Sequence, residues 1–320
     1  MSRDDWDPRE LPDLTDRAYL VTGSNAGLGY FASEQLARAG ARVIMTGRNP
    51  NRLAAARAAV YGRVPDAATG ARVDTMILDT SNLGSVRSAA ATVRSRAGLD
   101  GVLLNAGIVH TPKQRRTTLD GHELVFATNA LGHFALGGEL LTMLCASGGR
   151  MVWVGSMSTA LTPYDPVDPE LTEGYTPWRA YVQSKIATGA LGFEADRRLR
   201  EAGLPVSSVV AHPGYSTSGR TPGIPGVNEP SRLTRFVDNL QAAIAQSKER
   251  GAWPLVRALV DPTVEGGQFW GPRFGTHGQP RRTTPSRVTR DHRIAERLWR
   301  VSEDATGVRW PFERAARAAV

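Results

Sequence analysis

One cysteine in 320 residues excludes an internal disulfide, and no Cys/His cluster has zinc-ligand spacing, so neither a disulfide framework nor a metal site is expected. No uninterrupted apolar run reads as a bilayer span, and the opening MSRDDWDPRELPDL is too polar for a signal peptide. A cytoplasmic protein without a membrane anchor is therefore expected, with a short N-terminal arm over residues 1–16. The 33 Gly and 20 Pro have no period, which excludes a collagen-like chain, and no internal repeat is present. Acidic residues are outnumbered, 31 against 39 Lys and Arg, for a net charge of +8. The basic residues are spread among acids with only short runs such as Arg115-Arg116 and Arg281-Arg282. They read as a solvated face, and a nucleic-acid partner is not expected.

What is present suffices for one large α/β domain, since 41% hydrophobic residues can fill a full core. Apolar, β-branched runs at Ala18–Val21, Arg42–Thr46, Val73–Leu78, Gly101–Leu104, Arg150–Val154 and Val206–Ala211 predict strands. Helical patterns near Gly29–Ala39, Asn51–Val60, Leu83–Arg96, Leu119–Cys145 and Trp178–Ala202 separate them. Near-continuous apolar strands between helices predict a doubly wound, Rossmann-type parallel sheet, with ligands at the carboxyl ends of its strands. A short strand around Gln268–Trp270 closes one edge. After His212 the regularity stops: 213–262 reads as a lid-like excursion with a helix from about Arg232 to Lys248. Residues 271–320 read as a C-terminal extension with a helix over Arg290–Ser302. All of 1–320 is taken as one domain.

The first strand runs into Thr22-Gly23-Ser24-Asn25-Ala26-Gly27-Leu28-Gly29 and then a helix. Glycines allow a tight turn and close approach to a pyrophosphate, while the helix start supplies free N–H groups. A merely tight strand-to-helix turn is the alternative, and the strand–turn–helix context favours a dinucleotide. At the end of the second strand Gly47 stands where an NAD site would carry a carboxylate, and Arg48 offers a guanidinium suited to a ribose phosphate. NADP(H) is therefore the expected cofactor, and the basic excess agrees; an exposed arginine without a role is the alternative. Asp79-Thr80 ends the third strand, where the carboxylate is placed to accept from an adenine amino group. Asn105-Ala106-Gly107 ends the fourth, where small residues admit the adenosine half.

Tyr181 and Lys185 are four apart on a predicted helix, so phenol and ammonium share a face. The ammonium is expected to favour the phenolate and lower the phenol's pKa from its ordinary value near 10. It is also placed to hold the ribose beside the nicotinamide. By itself this spacing also fits an ordinary helix surface. Ser156 follows the fifth strand, where its hydroxyl would meet a substrate oxygen; Ser158 is a competing hydroxyl farther from the strand end. Asn129 would anchor a water linking Lys185 to solvent, or would correct a helix irregularity. His110, His133 and His212 read as structural.

With these residues in view, the chain resembles the short-chain dehydrogenase/reductase family. The motifs Thr22–Gly29, Asn105–Gly107, Asn129, Ser156, Tyr181 with Lys185, and Pro213-Gly214 stand in the family's order. Asn129-Ala130-Leu131-Gly132-His133-Phe134, Trp178 and His212-Pro213-Gly214 make it most similar to the retinol-dehydrogenase and protochlorophyllide-reductase-like branch. Gly155 and Leu104 depart from the family's usual residues without removing a reacting group. The resemblance implies an Asn129–Ser156–Tyr181–Lys185 tetrad interconverting a carbonyl and an alcohol. It also implies that the loop after Pro213-Gly214 covers the nicotinamide, with Thr217 at its carboxamide. A homodimer or homotetramer would form through the helices carrying Asn129 and Tyr181. A fairly large apolar small-molecule substrate is expected, with Trp178 as one wall. The inner face of the cover would come from Ile224, Val227, Leu233, Phe236, Val237 and Leu240. An insertion packed on the outside is the alternative for that segment, and a non-catalytic NADP-binding sensor is the alternative for the whole chain.

Overall fold

Strands rich in Val, Leu and Ile alternate with capped helices, and their burial on both faces produces the sheet. The structure is a computed structural model that describes residues 6–7, 10–64, 72–96, 98–160, 162 and 164–318; residues 1–5 and 8–9 of the expected arm lie outside these. In chain order the strands are β1 (Ala18–Val21), β2 (Arg42–Gly47), β3 (Val73–Ile77), β4 (Gly101–Leu104), β5 (Arg150–Val154), β6 (Ser207–Ala211), β7 (Ser216–Thr217), β8 (Gln246–Ser247), β9 (Phe269–Pro272) and β10 (Pro280–Arg282). Eight of them form one sheet in the order β10-β9-β6-β5-β4-β1-β2-β3. All pairs in it are parallel except β10 with β9, an antiparallel edge that the sequence reading did not anticipate.

Helices α1 (Gly27–Arg38), α2 (Pro50–Arg63) and α3 (Leu83–Arg94) follow the first three strands. Asn49 and Asn82 cap α2 and α3 by accepting from Arg52 N and Ser85 N. One helical stretch then runs from α4 (Leu124–Phe126) through a π-turn (Ala127–Leu131) into α5 (Gly132–Ser147). Against expectation, this stretch is long and apolar enough to cross a membrane by length and composition. Yet 72% of its most apolar window is buried, because it is a core helix lying on the sheet. Next come α6 (Pro177–Glu201), α7 (Arg232–Leu240), α8 (Lys248–Val260), α9 (Arg287–Arg290), α10 (His292–Thr306) and α11 (Phe312–Ala318).

Helices α1, α2 and α8 cover one face of the sheet around Leu36, Leu53 and Leu255. On the other face α3, α5 and α6 bury Val86, Leu140 and Leu191. The C-terminal helices α10 and α11 lie over α6 and α5. There Trp299 and Trp310 pack with Phe134 and Phe312, and Trp310 Nε1 donates to Phe134 O at 3.2 Å. The helices α5 and α6 thus carry the chain's own extension along part of their surface.

The excursion differs from its prediction in two ways. The helix expected to reach Lys248 ends at Leu240, and Gln246–Ser247 pairs in parallel with Ser216–Thr217 as a small ribbon. Helix α8, capped by Ser247, was not anticipated, and its Ala252, Leu255, Val256 and Leu259 are core residues. A cover is therefore restricted to roughly residues 218–245 of the expected 213–262.

Candidate active site

The segments singled out after β1 to β6 all follow the carboxyl ends of parallel strands. The turn after β1 is held from below by Thr22, whose Oγ1 accepts from Asn105 N and Ala106 N, both at 2.8 Å. Gly23 sits at φ +65°, and a Cβ there would lie 2.8 Å from Ala106 Cα, so only glycine fits. Asn105 Nδ2 donates to Thr22 O at 2.8 Å and Gly23 O at 3.3 Å. Ser24 is fully buried; its hydroxyl accepts from Thr46 N and donates to Thr46 O. Asn105 and Ser24, read as cofactor contacts, therefore spend their side chains bracing the turn. Asn25 Oδ1 comes 2.9 Å from the place a Gly47 Cβ would take, which joins the turn to the end of β2. Arg48 is exposed there with no ion pair among the described residues. Ala26 gives α1 no side-chain cap, and Leu28 lies against Gly251 of α8. Thr80 is buried, and its carbonyl lies where a Gly132 Cβ would clash. Asp79 Oδ1 accepts from Ser81 N and Oγ in a local turn before α3.

The π-turn exists around Asn129, whose side chain is fully committed. Oδ1 accepts from Ile108 N at 2.7 Å, and Nδ2 donates to Ile108 O and Ser184 Oγ. Its backbone carbonyl accepts from Thr188 Oγ1 and from His133 Nδ1 at 3.1 Å. Since Nδ1 must donate there, Nε2 is the acceptor for the Thr22 hydroxyl at 3.0 Å. Burial, then the Lys185 ammonium, drives the His133 pKa down to about 3, so the ring is neutral. His133 thus ties the π-turn to the glycine-rich turn, a link visible only once both segments are placed. The Asn129 carbonyl is held by His133, while the single Thr188 hydroxyl proton is shared with Ser184 O at 2.8 Å, so that carbonyl keeps capacity for a further donor such as a water.

Ser156 emerges beyond β5 as expected, and Tyr181 Oη donates to its Oγ at 3.4 Å. Ser158 is buried and pairs with Ser156 Oγ at 2.8 Å, while Ser156 is the more open of the two hydroxyls. Lys185 is buried, and its Nζ donates to Val154 O at 2.8 Å. Burial lowers its pKa to about 8. The expected lowering of the Tyr181 pKa is not found: burial raises it, and the bond with Ser156 offsets this only partly. The reason is that the ammonium is spent on the Val154 carbonyl while the phenol is desolvated. Trp178 is half exposed beside Tyr181, with ring centroids 6.3 Å apart.

Pro213 and Gly214 turn the chain at φ +66° for Gly214, where Gly214 N donates to His212 Nδ1. Thr217 is buried and its Oγ1 has no hydrogen-bond partner among the described residues, an orphan of the kind a carboxamide would satisfy. Together with the open glycine turn, this fits a bound nicotinamide dinucleotide. Of the apolar residues expected to line the cover, Ile224 is buried and Val227 is partly buried against the core. Leu233, Phe236, Val237 and Leu240 are instead exposed on α7.

Residues 17–221 match the family described as short chain dehydrogenase. Polyprenol dehydrogenase of Mus musculus is 33% identical over 314 residues, 95% of this chain and 88% of that protein. Retinol dehydrogenase 13 of Homo sapiens is 30% identical over 311 residues, 94% and 88% of the two chains. Among solved structures, an uncharacterized protein from Mycobacterium paratuberculosis has a TM-score of 0.76 and 34% identity, covering 96% of this chain and 99% of that one.

Proposed function

Because the chain belongs to the short-chain dehydrogenase family, we propose that it interconverts a carbonyl and an alcohol with NADP(H), using Tyr181 as the acid/base. The observation that carries this reading is the Tyr181–Ser156 hydroxyl pair at the end of β5, with the Lys185 ammonium buried beneath it. Bound NADP(H) would supply or accept the hydride. In reduction, Ser156 and Tyr181 hydrogen-bond the substrate oxygen and stabilise charge as it develops there. Burial keeps the phenol protonated at neutral pH, the form that donates its proton to that oxygen. Lys185 holds the ribose side of the cofactor and supports the proton's return. Asn129 fixes the π-turn through Ile108 and Ser184, and its backbone carbonyl would anchor the water that links Lys185 to solvent.

The cofactor lies along Gly23, Asn25, Ala26, Gly27, Leu28 and Gly29, then Asp79-Thr80, Ala106-Gly107 and Pro213-Gly214, with Thr217 at the carboxamide. Arg48, exposed beside Gly47 with no ion pair among the described residues, favours the phosphorylated ribose. The substrate is a fairly large apolar alcohol or its carbonyl counterpart. Similarity to a polyprenol and a retinol dehydrogenase supports that class, as do the exposed apolar residues of α7 in the segment that follows Pro213-Gly214. Trp178 forms one wall. The lone buried Cys145 suits a reducing, cytoplasmic setting.

The test follows NADPH absorbance with long-chain isoprenoid, retinoid and short polar carbonyls, for wild type and Tyr181→Phe. Turnover should favour the apolar substrates and fall roughly 100-fold or more in Tyr181→Phe, with NADPH binding retained. Near-normal turnover in that variant would refute the mechanism.

A further inference from the structure

Helix α1 begins at Gly27, which sits at φ +61° in the glycine-rich turn. Its first N–H groups have no partner within the helix, Ala26 supplies no cap, and no acidic residue stands in the first turn. The side chain that reaches this point comes from far along the sequence. A Cβ built on Gly27 would lie 3.7 Å from Lys248 Cδ and 3.9 Å from Lys248 Nζ. Lys248 is itself the first residue of α8, so an ammonium stands where the positive ends of two helices converge. Among the described residues it makes no ion pair; its Nζ donates to the neutral Ser218 Oγ at 2.6 Å. Burial pulls its pKa down, opposed by the charge of Asp238, whose carboxylate accepts from Gly219 N. A half-buried cation in such a place is repelled by its surroundings until an anion lies between them.

Its position is fixed independently of any ligand. Lys248 N donates to Thr221 Oγ1, and the β7–β8 ribbon immediately precedes it. Gln246 Nε2 donates to Pro213 O, and α8 packs along α1. The ammonium is thus set above the glycine-rich turn by the closed base of the excursion.

We infer that Lys248 is a further cofactor ligand, an ammonium that contacts the diphosphate of the dinucleotide lying across Gly27. This rests on the reading that the turn binds a nicotinamide dinucleotide, and not on which of the two it prefers. Because both cofactors share the diphosphate, Lys248 acts on both alike. Arg48 differs, since it addresses only the phosphate that distinguishes them.

Isothermal titration of the full-length protein with NADPH and with NADH tests this in wild type, Lys248→Met, Lys248→Arg and Arg48→Ala, with thermal melting of each without cofactor. Lys248→Met keeps the stem and should leave the cofactor-free melting temperature unchanged or raised. It should weaken both dinucleotides by a similar factor of roughly 10- to 100-fold, the scale of a charge-assisted hydrogen bond. Lys248→Arg should restore most of the affinity. Arg48→Ala should weaken NADPH alone. Binding of both cofactors by Lys248→Met within twofold of wild type would overturn the inference, as would a loss confined to NADPH. Wild type binding neither dinucleotide would overturn the underlying reading as well.

Discussion

Replacing Lys185 with methionine should make the cofactor-free protein no less stable at neutral pH while removing its activity. The ammonium is buried, with a pKa of about 8 against an ordinary value of 10.5. That difference corresponds to about 3 kcal/mol of destabilisation while the group is charged. Methionine fills a similar volume without the charge but leaves the Val154 carbonyl without its donor, a loss of about 1–3 kcal/mol. Near pH 7 the variant should therefore lie between equal stability and about 2 kcal/mol above wild type. The sign of the pH dependence separates the two contributions. Between pH 8 and 10.5 the unfolded wild type holds a proton that the folded protein has released, so wild-type stability rises through this window. The variant has no such group. Its stability relative to wild type should fall by about 3 kcal/mol from pH 7 to above pH 10, whatever the hydrogen bond contributes. Urea titrations at several pH values measure this, and NADPH oxidation measures the activity. A stability difference that does not change with pH would refute the assignment of a buried, charged Lys185.

His133, held neutral with a pKa of about 3, should make the fold acid-sensitive. The unfolded chain gains a proton below pH 6.5 that the folded protein refuses until about pH 3, so stability is lost as pH falls through that window. His133→Gln should flatten the acid limb of the stability profile; an unchanged limb would refute the role. Trp310→Ala should cost about 3–5 kcal/mol, since Trp310 is buried between Phe134, Trp299 and Phe312 and fills the space beside Gly137 and Gly138. Denaturant unfolding checks it, and a loss below about 1 kcal/mol would mean that the extension is not part of the core. Hydrogen exchange should show protection of α7 on adding NADP and a bulky apolar alcohol, with α8 protected throughout. Unchanged exchange in α7 would remove the case for a closing cover.

The strands were legible because a buried parallel strand is a short continuous apolar run, and β1, β4 and β5 have the bounds expected of them. The Gly23–Gly29 turn and the Tyr181–Lys185 spacing were legible for the same reason: each is a local pattern with a local geometric meaning. Tertiary structure decided where each polar atom finds its partner. Ser24 and Asn105 stand in the right motif, yet packing turns their side chains onto Thr46, Thr22 and Gly23. The ammonium of Lys185 follows the Val154 carbonyl, so the phenol four residues earlier is governed by burial. The apolar stripe of α7 was expected to form the inner face of a substrate cover, but it is exposed, and among the described residues no element covers it. Lys248 carried no motif at all and reaches Gly27 only because α8 packs along α1. Periodicity and turn chemistry act over a few residues and are written in the sequence. The partner of a buried charge depends on which distant groups the fold brings within about 3 Å, and that is settled only when the layers pack.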